Sequence, residues 1–425
     1  MKELGNLFDV LKCNTGLSIN KEKSKVFFSK GCKHKTELAD VLGCSHGALP
    51  VKYLGLPLSI NYVKPNNFGC LFDKLRSKIE GWMTRVLSFA GRVELAKSVL
   101  LSSLNYWIQT FRLPFSVIRD LERLISNFIW KGGMHACSWD TLCKPKNEGG
   151  VGLRKVKDMT NAAGVKLLWR LVTSDCLWAK WMRDKYLAHE NVWHAHPLLI
   201  HSGTYKFILS SREFAEPHMI LNTSGDWLWS SNLTSTANHL SLRLAWQVCR
   251  LQHAPFPFFD ILWHPRHCPK WSYCLYRALL NKLPTRDRLF RFGIIEDTVC
   301  VLCRQEQETN THLFFDCQFT KYIWSLCKLK LGFGNSQMGS ISEEAVGLQL
   351  KFKAKDTLYS LSKLLLAAAV WNIWQERNRR IFQNQELNKV LVFRRLYDDI
   401  HILMRTCHWK TCKDSTKNNI LSNWS

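Results

Sequence analysis

Four residues in the last third of the chain have the types and spacing of a metal clasp. Cys300 and Cys303 are followed by His312 and Cys317, in the pattern C-x2-C-x8-H-x4-C. Two thiolates three positions apart can grip one ion from a single tight turn, and an imidazole with a third thiolate closes a tetrahedron from the next element. Bonds of roughly 2.0–2.3 Å to Zn²⁺ require the four donor atoms to converge within about 4 Å of each other. Four protein ligands leave no open position, so the chemistry is structural and not catalytic, and its binding energy stabilises a small, loop-rich region. Three thiolates and one imidazole on Zn²⁺ sum to −1, with Arg304 and Lys321 near in sequence to offset it. Cys268, Cys274, His264, His267 and Cys327 are neighbouring alternatives for one ligand. Cys407-His408 with Cys412 is a weaker second set of three donors. A redox role for Cys300 and Cys303 is disfavoured, because no βαβ pattern surrounds them.

Two further motifs fail as chemistry. Glu148-Gly149-Gly150-Val151-Gly152-Leu153 resembles a phosphate loop, but no Gly-Lys-Ser/Thr follows, and Lys155 stands where a dinucleotide pattern needs its third glycine. A tight turn is the better account. Tyr397-Asp398-Asp399 lies in a helical pattern with Leu396, Ile400 and Leu403, not in a metal-holding turn.

The chain of 425 residues carries 59 Lys+Arg against 34 Asp+Glu, a formal charge of +25. With 46% hydrophobic residues it is no disordered basic tail. Such an excess suits a polyanion, where each neutralised phosphate releases counterions. The charge is spread along the chain, which points to a basic surface on folded domains. The longest apolar run, Leu364 to Trp371, is eight residues, well short of the about 20 of a membrane span. Met1 to Asn6 has no apolar signal core. Most of the 16 cysteines sit alone in apolar runs and read as reduced core residues. The expected location is an intracellular, reducing compartment, nucleus or cytoplasm, with no membrane partner.

The elements that must position these groups are mostly helical. Leu4, Leu7, Phe8 and Leu11 have helical spacing, broken at Thr15-Gly16, before a strand at Val26-Phe27-Phe28. Val51 to Leu58 reads as a strand interrupted at a bend. Helices are expected over Phe68 to Trp82, Phe89 to Trp107, from Pro114 to Lys131-Gly132-Gly133, and in the Trp-rich segment 160–187. Residues 188–260 are less regular, with a strand near Asp226-Trp227-Leu228-Trp229. Arg277 to Phe290 is expected to be helical around Pro284, then Leu361 to Phe382 and Lys389 to Met404. The fold class is mainly α with small β elements, in several domains.

The stretch from Cys300 to Trp324, with Glu308 ahead of His312-Leu313-Phe314-Phe315 and Cys317, resembles the zinc-binding domain of plant LINE-type (non-LTR) reverse transcriptases. Pro269-Lys270-Trp271 and Leu283-Pro284-Thr285-Arg286-Asp287-Arg288-Leu289 resemble its approach, and Trp371-Asn372-Ile373-Trp374-Gln375-Glu376-Arg377-Asn378-Arg379-Arg380-Ile381-Phe382 the end of such polyproteins. Gly16-Leu17-Ser18-Ile19-Asn20 with Lys23-Ser24-Lys25 is similar to the segment after the polymerase active site. Tyr53-Leu54-Gly55-Leu56-Pro57-Leu58 is similar to the following hairpin, Leu87-Ser88-Phe89-Ala90-Gly91-Arg92 with Lys97-Ser98-Val99-Leu100 to the thumb, and Gly149-Gly150-Val151-Gly152-Leu153 to the connection beyond it.

The resemblance implies a residual palm end at 1–65, a helical thumb and connector at 66–187, an irregular linker at 188–260 and the zinc-binding domain at 261–335. C-terminal helices follow at 336–413, then a frayed tail at 414–425. It also implies an RNA or RNA–DNA duplex as a sequence-independent partner, flanked by Lys21, Lys23, Lys25, Arg85, Arg92 and Lys97. The family's aromatic-Ala-Asp-Asp turn, which holds two Mg²⁺, does not precede Gly16, where Asp9 stands alone. The expectation is a truncated relative with a structural Zn²⁺, no Mg²⁺ site and no polymerase activity alone. The alternatives are a zinc-containing protein-interaction module and a fragment completing a polymerase in trans.

Overall fold

The computed structural model describes residues 2–29, 31–58, 65–84, 86–232, 235–237, 239–333, 339–352, 356–406, 420–422 and 424. Helix dominates, and the strands are two to six residues long. The fold is mainly α with small β elements.

The first helix, Lys2–Thr15, ends at Gly16 in the left-handed region. Lys25–Val26 pairs in parallel with Ser45–His46, a shorter strand than expected. The bend expected between Val51 and Leu58 is a hairpin: Val51–Tyr53 runs antiparallel to Leu56–Leu58, and Leu54 and Gly55 both take positive φ in the turn. Gly69–Met83 follows as a helix.

The expected helix from Phe89 is one rod with a loosened middle. Ser88 caps it by accepting from the Gly91 N–H at 3.1 Å. After Phe89–Leu95 the chain makes a π-helical turn over Ala96–Leu101 and resumes α-helix at Ser102–Thr110. Serine explains the loosening. The Ser98 hydroxyl donates to the Glu94 carbonyl at 2.7 Å and Ser103 to Val99 at 2.6 Å, competing with the backbone ladder. Phe115–Trp130 buries Val117, Leu121, Ile125, Phe128 and Ile129, and Lys131 takes the left-handed cap that a glycine was expected to hold. The Gly132 N–H reaches back to the Asn127 carbonyl at 2.9 Å, which sets that residue one place earlier.

Gly149-Gly150 is a turn, as expected, and close packing shapes it. A Cβ on Gly150 would lie 1.9 Å from the Lys144 carbonyl oxygen. The turn is clamped from the far side of the fold. The buried Glu148 carboxylate takes both Arg250 guanidinium nitrogens at 2.7 Å, and the Tyr276 hydroxyl donates to the Gly149 carbonyl at 3.0 Å.

The segment 188–260 is more structured than an irregular linker. Gly203–Ser210 is a helix, and Met219–Leu221, Trp227–Asn232 and Ser235–Ala237 form an antiparallel sheet. Leu242–Cys249 is a second helix packed on Val156–Thr173. Tyr205 and Trp229 are buried in the common core, so burial of large aromatics orders a stretch whose polar residues had suggested a loop.

Pro269–Leu279 begins eight residues ahead of the expected Arg277, with Pro269 in its first turn, where a missing N–H costs nothing. Thr357–Phe382 is the longest helix described and packs against Pro269–Leu279 and Lys389–Thr406. No helix among the described residues is long and apolar enough to cross a membrane. Replacing Gly150 by Ala should lower stability by about 1–3 kcal/mol or more, because the obstacle is backbone. Gly81→Ala, at an open helical position, should raise it by roughly 0.5–1 kcal/mol. Urea denaturation of the two variants reads the difference.

Candidate metal centre

The two-cysteine turn is built on a narrow hairpin. Val299 bridges Gln307, the Cys300 N–H donates to the Glu306 carbonyl at 2.7 Å, and the Arg304 N–H donates to the Cys300 carbonyl at 2.7 Å. Arg304 closes the turn at φ +59°. The folded-back N–H groups of Leu302 and Cys303 point at the Cys300 sulfur and favour its thiolate.

The second pair comes from a π-helical turn, His312–Asp316, closed by the Cys317 N–H on the His312 carbonyl at 2.8 Å. Five residues along an α-helix would set the two side chains about 140° apart. The wider turn brings them to one side. Cys317 also stands at the N-cap of the helix Gln318–Lys330, whose first N–H groups favour its thiolate.

One ligand atom from each of Cys300, Cys303, His312 and Cys317 lies within 4.8 Å of all the others, a little more open than the expected 4 Å. His312 Nε2 faces the Cys303 sulfur at 3.3 Å. Cys300 and Cys317 share a hydrogen bond. That bond, with burial, holds the Cys300 thiol well above its ordinary range, and it lowers Cys317. A set of three sulfurs and an imidazole, buried except for the half-buried Cys303, fits Zn²⁺, which would take the place of the shared proton. The Glu306 carboxylate lies 3.0 Å from His312 Nδ1 but off the axis of a hydrogen bond, so among the described residues this buried nitrogen has no hydrogen-bond partner.

The alternatives for a fourth ligand lie elsewhere among the described residues. Cys327 and Cys274 are buried core thiols, Cys274 pushed up to about 12 by burial. Burial holds His264 down at about 3, and His267 Nδ1 bonds the His264 carbonyl at 2.6 Å. Cys407, His408 and Cys412 fall outside the described residues.

Residues far along the chain complete the site, and spacing did not reveal their roles. Arg380 donates to the carbonyls of Val301 at 3.0 Å and Leu302 at 3.2 Å, placing a cation on the two-cysteine turn. Arg304, expected to offset the site's charge, turns outward to Glu386. Arg377 is 2% exposed and meets the wholly buried Glu308 through Nε at 3.1 Å and Nη2 at 2.8 Å. The same carboxylate oxygen accepts from the Arg286 N–H at 2.9 Å. The signal was four charged residues, Glu376, Arg377, Arg379 and Arg380, directly after the apolar run that ends at Trp371.

The proposed nucleic-acid contacts separate into three groups. Lys21, Lys23 and Lys25 are exposed. Arg85 lies outside the described residues. Arg92 and Lys97 are turned inward. Arg92 donates to the carbonyls of Ile129 at 2.7 Å and Leu87 at 2.6 Å, and the Lys97 ammonium meets Glu94 at 3.0 Å and the Tyr273 hydroxyl at 3.1 Å. Burial pulls that ammonium below its ordinary range. Asp398 and Asp399 are adjacent on the Lys389–Thr406 helix, where Asp398 is exposed and Asp399 accepts from Asn372 at 3.2 Å.

Residues 240–324 match a family model described as zinc-binding in reverse transcriptase. The chain carries a segment similar to that zinc-binding family. All four clustered ligands fall inside the match, which opens ahead of the expected start at 261 and takes in the Leu242–Cys249 helix. A protein of Arabidopsis thaliana, provisionally named a ribonuclease H protein, is 34% identical over 137 residues. That stretch is 31% of this chain and 22% of the Arabidopsis protein, so the match spans about a fifth of that relative's length.

Arg377→Met should lower stability by about 3–5 kcal/mol, because it strands a carboxylate in the interior. The double change Glu308→Leu with Arg377→Met should recover much of the loss. Urea unfolding of both variants is the check.

Proposed function

We propose that this chain is the palm-end, thumb, connector and zinc-binding region of a plant LINE-type reverse transcriptase. It would hold one structural zinc ion and bind nucleic acid without sequence preference. The single observation that carries the reading is the convergence of Cys300, Cys303, His312 and Cys317 inside the matched segment. Zinc there would join the two-cysteine turn to the Gln318–Lys330 helix and add to the packing of Leu313, Phe314, Phe315 and Trp324 around it. The four ligands fill a tetrahedron, so the ion would supply cohesion and no chemistry.

The nucleic-acid part rests on the +25 charge and on the exposed Lys21, Lys23 and Lys25. Phosphate contacts carry no sequence information, so affinity would be micromolar and steeply salt-dependent.

Metal analysis of the purified chain should find one zinc per molecule. Cys317→Ser should abolish retention, and a chelator should lower the thermal midpoint of the wild type. An unchanged midpoint after chelation would refute the structural role. For the second part, a short RNA–DNA duplex is titrated at 50 and 200 mM salt. Three phosphate contacts predict an affinity loss of about 40-fold across that range. Replacing Lys21, Lys23 and Lys25 together by Ala should remove most of the salt dependence. Indifference to salt in the wild type would favour a protein-interaction module instead.

A further inference from the structure

Three elements meet beside the zinc-binding segment: the capped start of the helix at Phe89, the Pro269–Leu279 helix and the Thr357–Phe382 helix. They enclose an open cavity of about 270 Å³. Its lining includes three cations, Arg92, Lys270 and Arg277, the Ser88 hydroxyl and the indoles of Trp371 and Trp374, and no carboxylate.

The charge in this cavity is uncompensated. The Nε of Arg277 is shielded from solvent and meets no acceptor, and among the described residues its guanidinium has neither a hydrogen bond nor an ion pair. It lies over the rings of Phe89 at 5.5 Å and Trp130 at 5.7 Å, which offset part of the lost hydration. Among the described residues Arg92 is bonded to the neutral carbonyls of Ile129 and Leu87 and meets no carboxylate. The two guanidinium groups lie close enough to repel, and burial with that repulsion holds Arg92 below its ordinary range. Lys270, exposed at the mouth, lies 5.8 Å from the Trp371 ring centre. Like charges drawn partly out of water without a partner are costly, and an anion removes the cost.

We propose that this cavity binds a phosphate group, held by Arg277 with Lys270 at the mouth and Arg92 behind. Its planar donors suit phosphate oxygens in a bidentate grip, and the indoles offer a stacking face for an attached base. The group has two sources, a free phosphate or nucleotide and the backbone of a bound strand. The inference rests on the nucleic-acid reading only for the second source. It places a contact where Lys21, Lys23 and Lys25 are not.

The test uses the full zinc-loaded chain. Tryptophan fluorescence and thermal unfolding are followed against inorganic phosphate, against a mononucleotide, and against a short single-stranded oligonucleotide with and without a 5′-phosphate. In the wild type, phosphate should quench fluorescence and raise the midpoint with concentration. Arg277→Met should weaken binding of all phosphate probes at least about tenfold, while its midpoint without phosphate stays equal or rises. Lys270→Gln, at an exposed position that folding tolerates, should weaken the same probes several-fold. No response to phosphate in the wild type, or unchanged affinity in Lys270→Gln and Arg277→Met, overturns the proposal. Salt-sensitive duplex binding that persists in that case leaves the nucleic-acid reading intact. Phosphate binding without any oligonucleotide binding does the reverse, keeping the cavity and refuting that reading.

Discussion

A carboxylate with no solvent exposure and a guanidinium with almost none cannot remain apart, and the Glu308–Arg377 pair orders much of what surrounds it. Glu308 closes the hairpin that carries Cys300 and Cys303, four residues before His312. Arg377 lies on the longest helix, three residues before Arg380, so the pair sets the height at which Arg380 meets the carbonyls of Val301 and Leu302. The ion pair thus fixes the register between the small two-cysteine hairpin and a helix some 70 residues further along. A displacement of one helical turn would lose the pair and the carbonyl contacts together.

A second buried pair repeats the device at the other end of the zinc-binding segment. Glu148 and Arg250 join the glycine turn to the helix that opens the matched region, and Tyr276 adds a hydrogen bond to the same turn. Lys328 with Glu344 is a third pair, also buried. These contacts make one continuous core of what the composition suggested were separate pieces. They also remove several basic residues from the surface, so the large positive charge does not translate residue by residue into contacts for a polyanion. Arg92 and Lys97 show this most plainly: both stand on a helix whose resemblance suggested a duplex path, and both are bonded within the fold.

The clustering of Cys300, Cys303, His312 and Cys317 was legible because such a grouping follows from local types and intervals. Two cysteines three apart can share an ion only through a tight turn, and the structure has that turn. The helices were legible where an apolar stripe repeats, as over Phe115–Trp130 and Thr357–Phe382. The segment 188–260 was not, since its helices and sheet are held by aromatic side chains buried against distant partners, and periodicity over so short a length carries little of that information.

What the chain by itself determined is therefore the chemistry available: four soft or borderline ligands, a basic balance, and amphipathic rods to mount them on. Which charges face water and which face each other was decided only on folding. The partner of Arg377 and the cavity left with three cations and no carboxylate both depend on elements far apart in sequence. A charged residue's cost depends on its dielectric surroundings, and those exist only once the core has closed around it.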